Sequence, residues 1–167
     1  VCNWIENWLV GRKQRVRLNG WYSNWEKVKS GVPQGSILGP LLFVIFINDL
    51  EKGVVSRLLK FADDTKLLGI VCTPEEVEVL RNDLKLLVNW SRDWQMLFNV
   101  SKCKVIHFGS RNAEADYIME GSNLESITEE RDLGILIHNS LKVEKQCMKA
   151  ANAANQMLGM IKRSFTF

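Results

Sequence analysis

Residues 57–94 read RLLKFADDTKLLGIVCTPEEVEVLRNDLKLLVNWSRDW, and this stretch decides the fold class. Its first part contains two apolar segments, Leu58–Ala62 and Leu67–Val71, whose length and composition predict the strands of a hairpin. Asp63-Asp64-Thr65 lies between them, at or near the turn. The capping-box sequence Thr73-Pro74-Glu75-Glu76 then predicts the start of a helix that carries apolar residues at helical spacing. A strand hairpin followed by an amphipathic helix favours an α+β fold.

The sequence on either side of this stretch predicts further hairpins and helices. Upstream, the patterns predict a helix over 3–10 and then a hairpin of Arg15–Leu18 and Trp25–Lys29 joined by loop 19–24. They next predict a loop over Ser30–Ser36 and a helix that is capped by Ser36 and ends near Leu50. Downstream, they predict strands at Cys103–Phe108 and Ile135–Ile137 and a final helix with Val143, Cys147, Ala151, Ala154, Leu158 and Ile161 on one face. Together these elements predict antiparallel hairpins with helices packed on one face.

The composition is that of an ordinary globular chain, with 167 residues, 46% hydrophobic and 25% charged. The longest uninterrupted apolar run, Leu41–Ile47, is too short for a transmembrane helix, which needs about 20 residues, so we expect no membrane partner. The four cysteines form no C-x-x-C pair. They are therefore predicted to be reduced, mostly buried thiols of a non-oxidising compartment rather than disulfides or a zinc site.

Positive charge is concentrated in the first third of the chain. Residues 1–60 have nine Lys/Arg and four Asp/Glu, which is compatible with a polyanionic partner. Four cations of the predicted hairpin are candidate contacts to nucleic-acid phosphates: Arg12, Lys13, Arg15 and Arg17. The alternative is a solvated charged hairpin. Trp21 and Trp25 flank these cations, and we expect both to be packing residues rather than base-stacking platforms.

Asp63 and Asp64 are the first candidate catalytic residues. Two adjacent carboxylates repel each other, and a turn does not require both. A divalent cation such as Mg²⁺ removes this penalty because it prefers oxygen ligands. In two-metal phosphoryl transfer, such carboxylates hold the cations that activate the attacking hydroxyl and stabilise the leaving group. The alternative interpretation is a solvated Asp-Asp turn.

A second candidate element lies about 25 residues upstream, in the segment Ser30–Pro40, which reads SGVPQGSILGP. Its three glycines permit backbone conformations or close approaches that a side chain would block. Gln34 offers both donor and acceptor groups to a base or a sugar. The alternative interpretation is a simple connecting loop.

These segments resemble motifs of a known family. Ser30–Phe43 with Phe46–Leu50, and Lys60–Thr65, are similar in order and spacing to motifs B and C of the reverse transcriptases of non-LTR (LINE-type) retrotransposons, among them the jockey-like and chicken-repeat elements of animals. The resemblance covers nearly the whole chain. Asn99–Lys104 resembles motif D, and Arg131–Ile135 with the Ala-rich helix after it resembles motif E and the start of the thumb.

The resemblance implies roles for the residues of motifs B and C. Asp63 and Asp64 would be two of the three metal-binding aspartates of an RNA-templated DNA polymerase, with Mg²⁺ as cofactor and Mn²⁺ as an alternative. Pro33, Gln34 and Gly35 would shape the surface that positions the incoming nucleotide and the template. The implied partners are an RNA template, a DNA primer and a deoxynucleoside triphosphate.

The resemblance also implies roles for motifs D and E. Lys102 would protonate the leaving pyrophosphate or neutralise its charge, with Lys104 as the alternative. Leu133 and Gly134 would lie near the primer end. On this basis residues 1–140 are a partial fingers and palm of a right-hand polymerase, and residues 141–167 are the start of the thumb.

One departure from the family pattern concerns the third catalytic aspartate. In the family it belongs to motif A, upstream of the helix with which this sequence begins. The first residue is Val1 rather than Met, so we expect a fragment with a missing upstream palm and fingers segment, inactive by itself. The alternatives are a retroelement-derived remnant that binds nucleic acid without catalysis and a module that binds proteins.

Overall fold

The structure is a computed structural model that describes residues 1–165. Its helices are α1 (Cys2–Leu9), α2 (Leu38–Phe46), α3 (Pro74–Asp93) and α4 (Glu144–Ser164), with a 3₁₀ turn at Val100–Lys102. Its strands are β1 (Lys13–Gln14), β2 (Arg17–Leu18), β3 (Trp21–Tyr22), β4 (Glu26–Lys27), β5 (Arg57–Phe61), β6 (Asp64–Leu68), β7 (Lys104–Val105), β8 (Ile118–Met119), β9 (Ser122–Asn123), β10 (Glu125–Ser126), β11 (Glu129–Asp132) and β12 (Ile135–His138). The strands pair in twos, so helices and small sheets make up the fold and the predicted α+β class is confirmed.

The chain divides into two compact units. The first contains Val1–Asp49 together with Phe61–Asp64, and the second contains Leu50–Lys60 and the chain from Thr65 onward. The candidate carboxylates and the Ser30–Pro40 segment therefore belong to the same unit.

In the first unit, the basic segment forms a tighter hairpin than the sequence pattern predicted. β2 pairs with β3 in the register Arg17↔Tyr22 and Leu18↔Trp21, so the turn is Asn19-Gly20 alone and the predicted six-residue loop is wrong. Both turn residues have positive φ, 48° and 86°, which is the conformation of the two-residue turns that match strand twist. The hairpin is extended by the antiparallel pair β1 and β4.

The loop after this hairpin leads into α2, and Ser36 makes two hydrogen bonds at this junction. The Ser36 hydroxyl accepts a hydrogen bond from the Gly39 N–H at 3.0 Å and donates one to the Pro33 carbonyl at 2.7 Å. The N-cap residue of α2 is Ile37, which makes no side-chain capping hydrogen bond, so the predicted cap at Ser36 was one residue too early, although the Ser36 hydroxyl does bond to the first turn. α2 ends at Phe46 and turns follow to Leu50, so the predicted helix end was four residues too late.

The second unit is organised around α3, which begins with the predicted capping box. The Thr73 hydroxyl accepts from the Glu76 N–H, and the Glu76 carboxylate accepts from the Thr73 N–H at 3.0 Å. The core lies on one side of this helix, where Val77 packs with Val71 and Tyr117. Leu80, Leu84, Val105, Ala115 and Leu124 pack against that cluster. The apolar face predicted for α3 thus contributes directly to the core.

Of the two downstream strand predictions, one needs correction and one is confirmed. The strand predicted over Cys103–Phe108 is reduced to β7, which pairs with β10 in parallel rather than in a hairpin. The strand predicted at Ile135–Ile137 is confirmed as β12, in antiparallel register with β11.

α4 contains no buried residue, although the sequence predicted an apolar face for it. Its Cys147 is exposed, as are Cys2 and Cys72, so the prediction of mostly buried thiols is wrong. Polar contacts connect α4 to the β11–β12 hairpin. The Gln146 side chain accepts from the Leu136 N–H at 2.9 Å, and the Lys145 ammonium lies 2.6 Å from the Glu129 carboxylate. The last two residues of the predicted thumb segment, 166 and 167, lie outside the described residues. In the part of the chain that is described, no helix is both long and apolar enough to cross a membrane.

Candidate functional site

The two candidate carboxylates lie at the turn between β5 and β6. Ala62 and Asp63 form the connection, and Asp64 is the first residue of β6, which begins three residues earlier than predicted. A two-residue connection joins strands that run antiparallel. Both aspartates are exposed. Ala62 has a φ of 51°, an uncommon conformation for a residue with a Cβ and one that costs about 1–2 kcal/mol.

The Ser30–Pro40 segment presents a tight turn beside the start of α2. The Ser36 N–H bonds to the Pro33 carbonyl at 3.3 Å, and Gly35 has a φ of 77°. A positive φ at the third position is the requirement of a type II turn, which explains the glycine. Gly39 permits the loop to lie close to the helix, because a Cβ there would be 2.9 Å from the Ser36 hydroxyl oxygen. Gln34, between these constrained positions, is exposed.

The candidate phosphate-binding cations have different surroundings. The Arg12 guanidinium donates to the carbonyls of Leu9 and Gly31, so it connects the end of α1 to the loop before α2. Lys13 is exposed on β1. Arg15 and Arg17 are exposed and lie over aromatic rings of the same hairpin. Whether any of the four contacts nucleic acid stays a prediction.

The aromatic residues of the hairpin are far more exposed than predicted. Trp21 is 82% exposed and Trp25 is 57% exposed, so the expectation that both are packing residues is wrong. The guanidinium carbon of Arg15 lies 3.9 Å from the centroid of the Tyr22 ring and 4.5 Å from that of Trp25. Arg17 lies 5.4 Å from the Tyr22 ring.

The two lysines considered for motif D differ in their surroundings. Lys102 is exposed at the end of the 3₁₀ turn, and among residues 1–165 its ammonium takes part in no salt bridge. Lys104 lies on β7, 3.6 Å from the Glu130 carboxylate. Between them, burial raises the pKa of the Cys103 thiol, which therefore stays protonated at neutral pH. Of the two lysines, Lys102 is therefore the one whose ammonium is not held by a carboxylate of residues 1–165.

Leu133 and Gly134 form the two-residue turn between β11 and β12. Leu133 is exposed and has a φ of 45°, which is rare for a large side chain. Just before this turn, the Asp132 carboxylate pairs with the Lys66 ammonium of β6. The ion pair therefore connects β6 to the hairpin that carries Leu133.

Asp83 is a structurally important carboxylate that the sequence patterns did not single out. It lies on the core side of α3, only 1% exposed, and accepts from the backbone N–H groups of Val55 at 3.0 Å and Ser56 at 2.8 Å. These bonds hold the segment that leads into β5. The available signal was its position between Leu80 and Leu87, on the apolar face of a predicted helix.

The donor chemistry of Asp63 and Asp64 fits a divalent cation. Mg²⁺ is commonly held by one or two carboxylates, with substrate phosphates and water completing its ligands. Within residues 1–165, however, no group of three or more His, Cys, Asp or Glu side chains is arranged to hold a metal ion. Asp63 and Asp64 therefore have no third such side chain grouped with them among these residues.

Comparison with known proteins places the chain in one family. The profile described as "Reverse transcriptase (RNA-dependent DNA polymerase)" matches residues 1–159. The chain is 30% identical over 147 residues to the RNA-directed DNA polymerase from mobile element jockey of Drosophila funebris, a match that covers 82% of this chain and 16% of that relative. It is also 30% identical over 149 residues to the probable RNA-directed DNA polymerase from transposon BS of Drosophila melanogaster, with the same coverage of 82% and 16%.

A more distant similarity extends beyond mobile elements of flies. The group II intron-encoded protein LtrA of Lactococcus lactis is 36% identical over 89 residues, covering 52% of this chain and 14% of that protein. No solved structure gives a significant match. The chain thus spans about one sixth of the length of the jockey and BS relatives. The profile match over nearly all its residues, together with these relatives, shows that the chain belongs to the reverse transcriptase (RNA-dependent DNA polymerase) family and resembles its non-LTR retrotransposon members.

Proposed function

We propose that this chain is part of an RNA-directed DNA polymerase that adds deoxynucleotides to a primer 3′-hydroxyl on an RNA template. Residues 1–140 correspond in this proposal to part of the fingers and palm, and 141–167 to the start of the thumb. The observation that carries it is the exposure of Asp63 and Asp64 at one turn, in the same compact unit as the Pro33–Ser36 turn. Polymerisation requires both a carboxylate site for the triphosphate and a surface for the base.

In this proposal Asp63 and Asp64 hold Mg²⁺, with Mn²⁺ as a substitute. When bound, the metal would lower the pKa of the primer hydroxyl and neutralise charge on the triphosphate. The hydroxyl oxygen would give its proton to water and form a bond to the α-phosphorus, and the bond from that phosphorus to pyrophosphate would break. Lys102 then donates a proton to the leaving pyrophosphate or offsets its charge.

The remaining site residues position the substrates. Pro33 and Gly35 hold a rigid turn, so that the exposed amide of Gln34 can hydrogen-bond to the incoming nucleotide or the template base. Leu133 and Gly134, at the tip of the β11–β12 hairpin, contact the primer end. An exposed apolar side chain at a hairpin tip is suited to packing against a sugar or a base.

The proposal is tested by primer extension on an RNA template with Mg²⁺ or Mn²⁺. The 167-residue chain should not extend a primer, because two carboxylates leave the cations with too few fixed ligands. A fusion that carries, ahead of Val1, the segment of the jockey relative preceding its matched region should extend it. Asp63→Asn and Asp64→Asn should each abolish extension by the fusion, whereas Asp49→Asn, an exposed aspartate of the same unit, should not.

One result would contradict the metal assignment, and another would contradict the expected inactivity of the 167-residue chain. Extension by the fusion that survives Asp63→Asn and Asp64→Asn would remove these residues from the metal site. Extension by the 167-residue chain itself, lost on either substitution, would mean that two carboxylates suffice.

The proposed role of Lys102 is tested by comparing two lysine variants of the fusion. We expect Lys102→Gln to lower the extension rate by about a hundredfold, the lower range for loss of a general acid. Lys104→Gln serves as the matched control, because that ammonium is paired with Glu130. A larger loss at Lys104 would transfer the role to it.

A second candidate function is binding of nucleic acid without polymerisation. The lack, among residues 1–165, of a third such side chain grouped with Asp63 and Asp64 favours it. Salt-sensitive binding of RNA by both the chain and the fusion, with no extension by either, would support this function over the first.

A further inference from the structure

The hairpin built from β1–β4 contains one extra residue on its returning side. Lys13 pairs with Lys27 and Gln14 with Glu26, whereas Arg17 pairs with Tyr22. The chain therefore advances three positions from Gln14 to Arg17 and four from Tyr22 to Glu26. Such an extra residue is a β-bulge, which changes which side chains share a face.

The bulge brings Tyr22 and Trp25 to the same face. Residues three apart on a regular strand point to opposite sides of the sheet. Here both rings contact the guanidinium of Arg15, at 3.9 and 4.5 Å from their centroids. We call this side the hairpin face; its members are Lys13, Arg15, Arg17, Tyr22, Trp25 and Lys27. Trp21 pairs with Leu18, one position from the Arg17–Tyr22 pair, and so belongs to the opposite face.

The hairpin face has a concentration of positive charge that the described residues do not neutralise. Lys13 and Lys27 are directly opposite each other, an arrangement that destabilises a sheet through like-charge repulsion. Among residues 1–165, none of the four cations of this face takes part in a salt bridge with a carboxylate; the nearby Glu26 pairs with Gln14, on the other side. A bound polyanion would relieve this repulsion.

The aromatic rings of the face remain accessible to a ligand. Tyr22 is 50% exposed and Trp25 is 57% exposed, although both contact Arg15. The guanidinium holds the two rings in a fixed arrangement, which lowers the entropy that a stacking ligand would have to remove. Exposed rings held among cations are the features by which proteins bind unpaired bases and the backbone between them.

We propose that the hairpin face binds a single-stranded nucleic-acid segment, with bases stacking on Tyr22 and Trp25 and phosphates contacting Lys13, Arg17 and Lys27. This deepens the proposed function by naming a binding surface separate from Asp63 and Asp64. Single-stranded nucleic acid fits better than a duplex, because the bases of a duplex are already stacked on one another. It fits better than an acidic peptide, because two exposed rings add nothing to the binding of carboxylates alone.

The experiment measures binding of the full 167-residue chain to labelled oligouridine and oligothymidine of about 15 nucleotides and to a duplex of equal length, by fluorescence anisotropy at several NaCl concentrations. We expect Tyr22→Ala and Trp25→Ala each to weaken single-strand binding about tenfold, with little effect on the duplex. Tyr22→Phe and Trp25→Phe keep a ring and should retain most of the affinity. Trp21→Ala is the matched control, since it removes a more exposed tryptophan of the same hairpin from the opposite face.

The phosphate contacts of the lysines on the hairpin face are tested through the salt dependence of single-strand binding. Lys13→Gln and Lys27→Gln should each lower the slope of log Kd against log salt by about 0.7, the value for one phosphate contact with a single strand. Lys85→Gln is the control, because Asn82 and Glu78 already hold that ammonium on α3. Single-strand binding should be the same in Mg²⁺ and in EDTA at equal ionic strength, which separates this proposal from the polymerase assignment, where the carboxylates act through a divalent cation.

Three results would overturn the proposal. The first is an equal loss of affinity from Trp21→Ala and Trp25→Ala. The second is duplex binding as tight as single-strand binding and insensitive to both rings. The third is binding that depends on Mg²⁺ but not on the hairpin face.

Discussion

The guanidinium carbon of Arg15 lies 3.9 Å from the centroid of the Tyr22 ring, on the opposite strand of the same hairpin. The planar guanidinium can stack on a ring, whereas a lysine ammonium cannot. Arg15→Lys therefore keeps the charge of the hairpin face but removes the group that holds its rings in place. We expect weaker binding of single-stranded oligouridine with an unchanged salt slope. Equal affinity of the lysine variant and the parent chain would show that the stack does not organise the surface.

The turn before α2 depends on the backbone of Gly35. Gly35→Ala places a Cβ at a φ of 77°, which we expect to cost about 1–2 kcal/mol and to shift the turn that presents Gln34. In the extending fusion, the Michaelis constant for the deoxynucleotide should rise. Gly159→Ala in α4 is the matched control, because a Cβ there meets no atom within 4 Å and alanine favours the helix. An unchanged Michaelis constant with Gly35→Ala would separate this turn from nucleotide binding.

Asp83 stabilises the segment that leads into the carboxylate turn. Asp83→Asn leaves one of two backbone N–H groups without its acceptor, so we expect a loss of about 1–3 kcal/mol in the free energy of unfolding. Urea denaturation followed by circular dichroism measures this loss. Asp93→Asn removes the same charge from an exposed position of α3 and should change stability by less than about 0.5 kcal/mol. Equal stability of the two variants would mean that the Asp83 bonds are replaced by others.

The stabilisation that the Lys145–Glu129 ion pair gives to the contact between α4 and the β11–β12 hairpin should be lost at acid pH. The hydrogen bond from the Lys145 ammonium, and then its charge, lower the pKa of Glu129 below its ordinary value of 4.5. Because the folded-state pKa is the lower one, the stabilisation is present above the ordinary pKa and is lost as pH falls through the folded-state pKa. The stability difference between the parent chain and Glu129→Gln should therefore be constant near neutral pH and vanish on acidification. A difference that persists in acid, after Glu129 is protonated in the folded chain, would assign the effect to something other than ionisation.

Several features followed from the sequence because they depend on neighbours in the chain. The capping box joins Thr73 to Glu76, three residues away, and the Asp-Asp turn lies between two short apolar segments. Such contacts need no information about the rest of the fold. Asn19-Gly20 is an equally local signal for a two-residue turn, and it outweighs the alternating segments that predict a longer loop.

Other features were decided only by contacts between distant residues. The parallel pairing of β7 with β10 joins residue 104 to residue 125, and Asp83 meets N–H groups 27 and 28 positions away. No local pattern encodes these partners, because each depends on where the intervening chain runs. The hairpin face depends on the pairing register, since without the extra residue on one side Tyr22 and Trp25 would lie on opposite faces. The sequence by itself thus determined the family, the carboxylate turn and the start of α3. The tertiary structure decided which rings meet Arg15, because sheet register is set by pairing across strands.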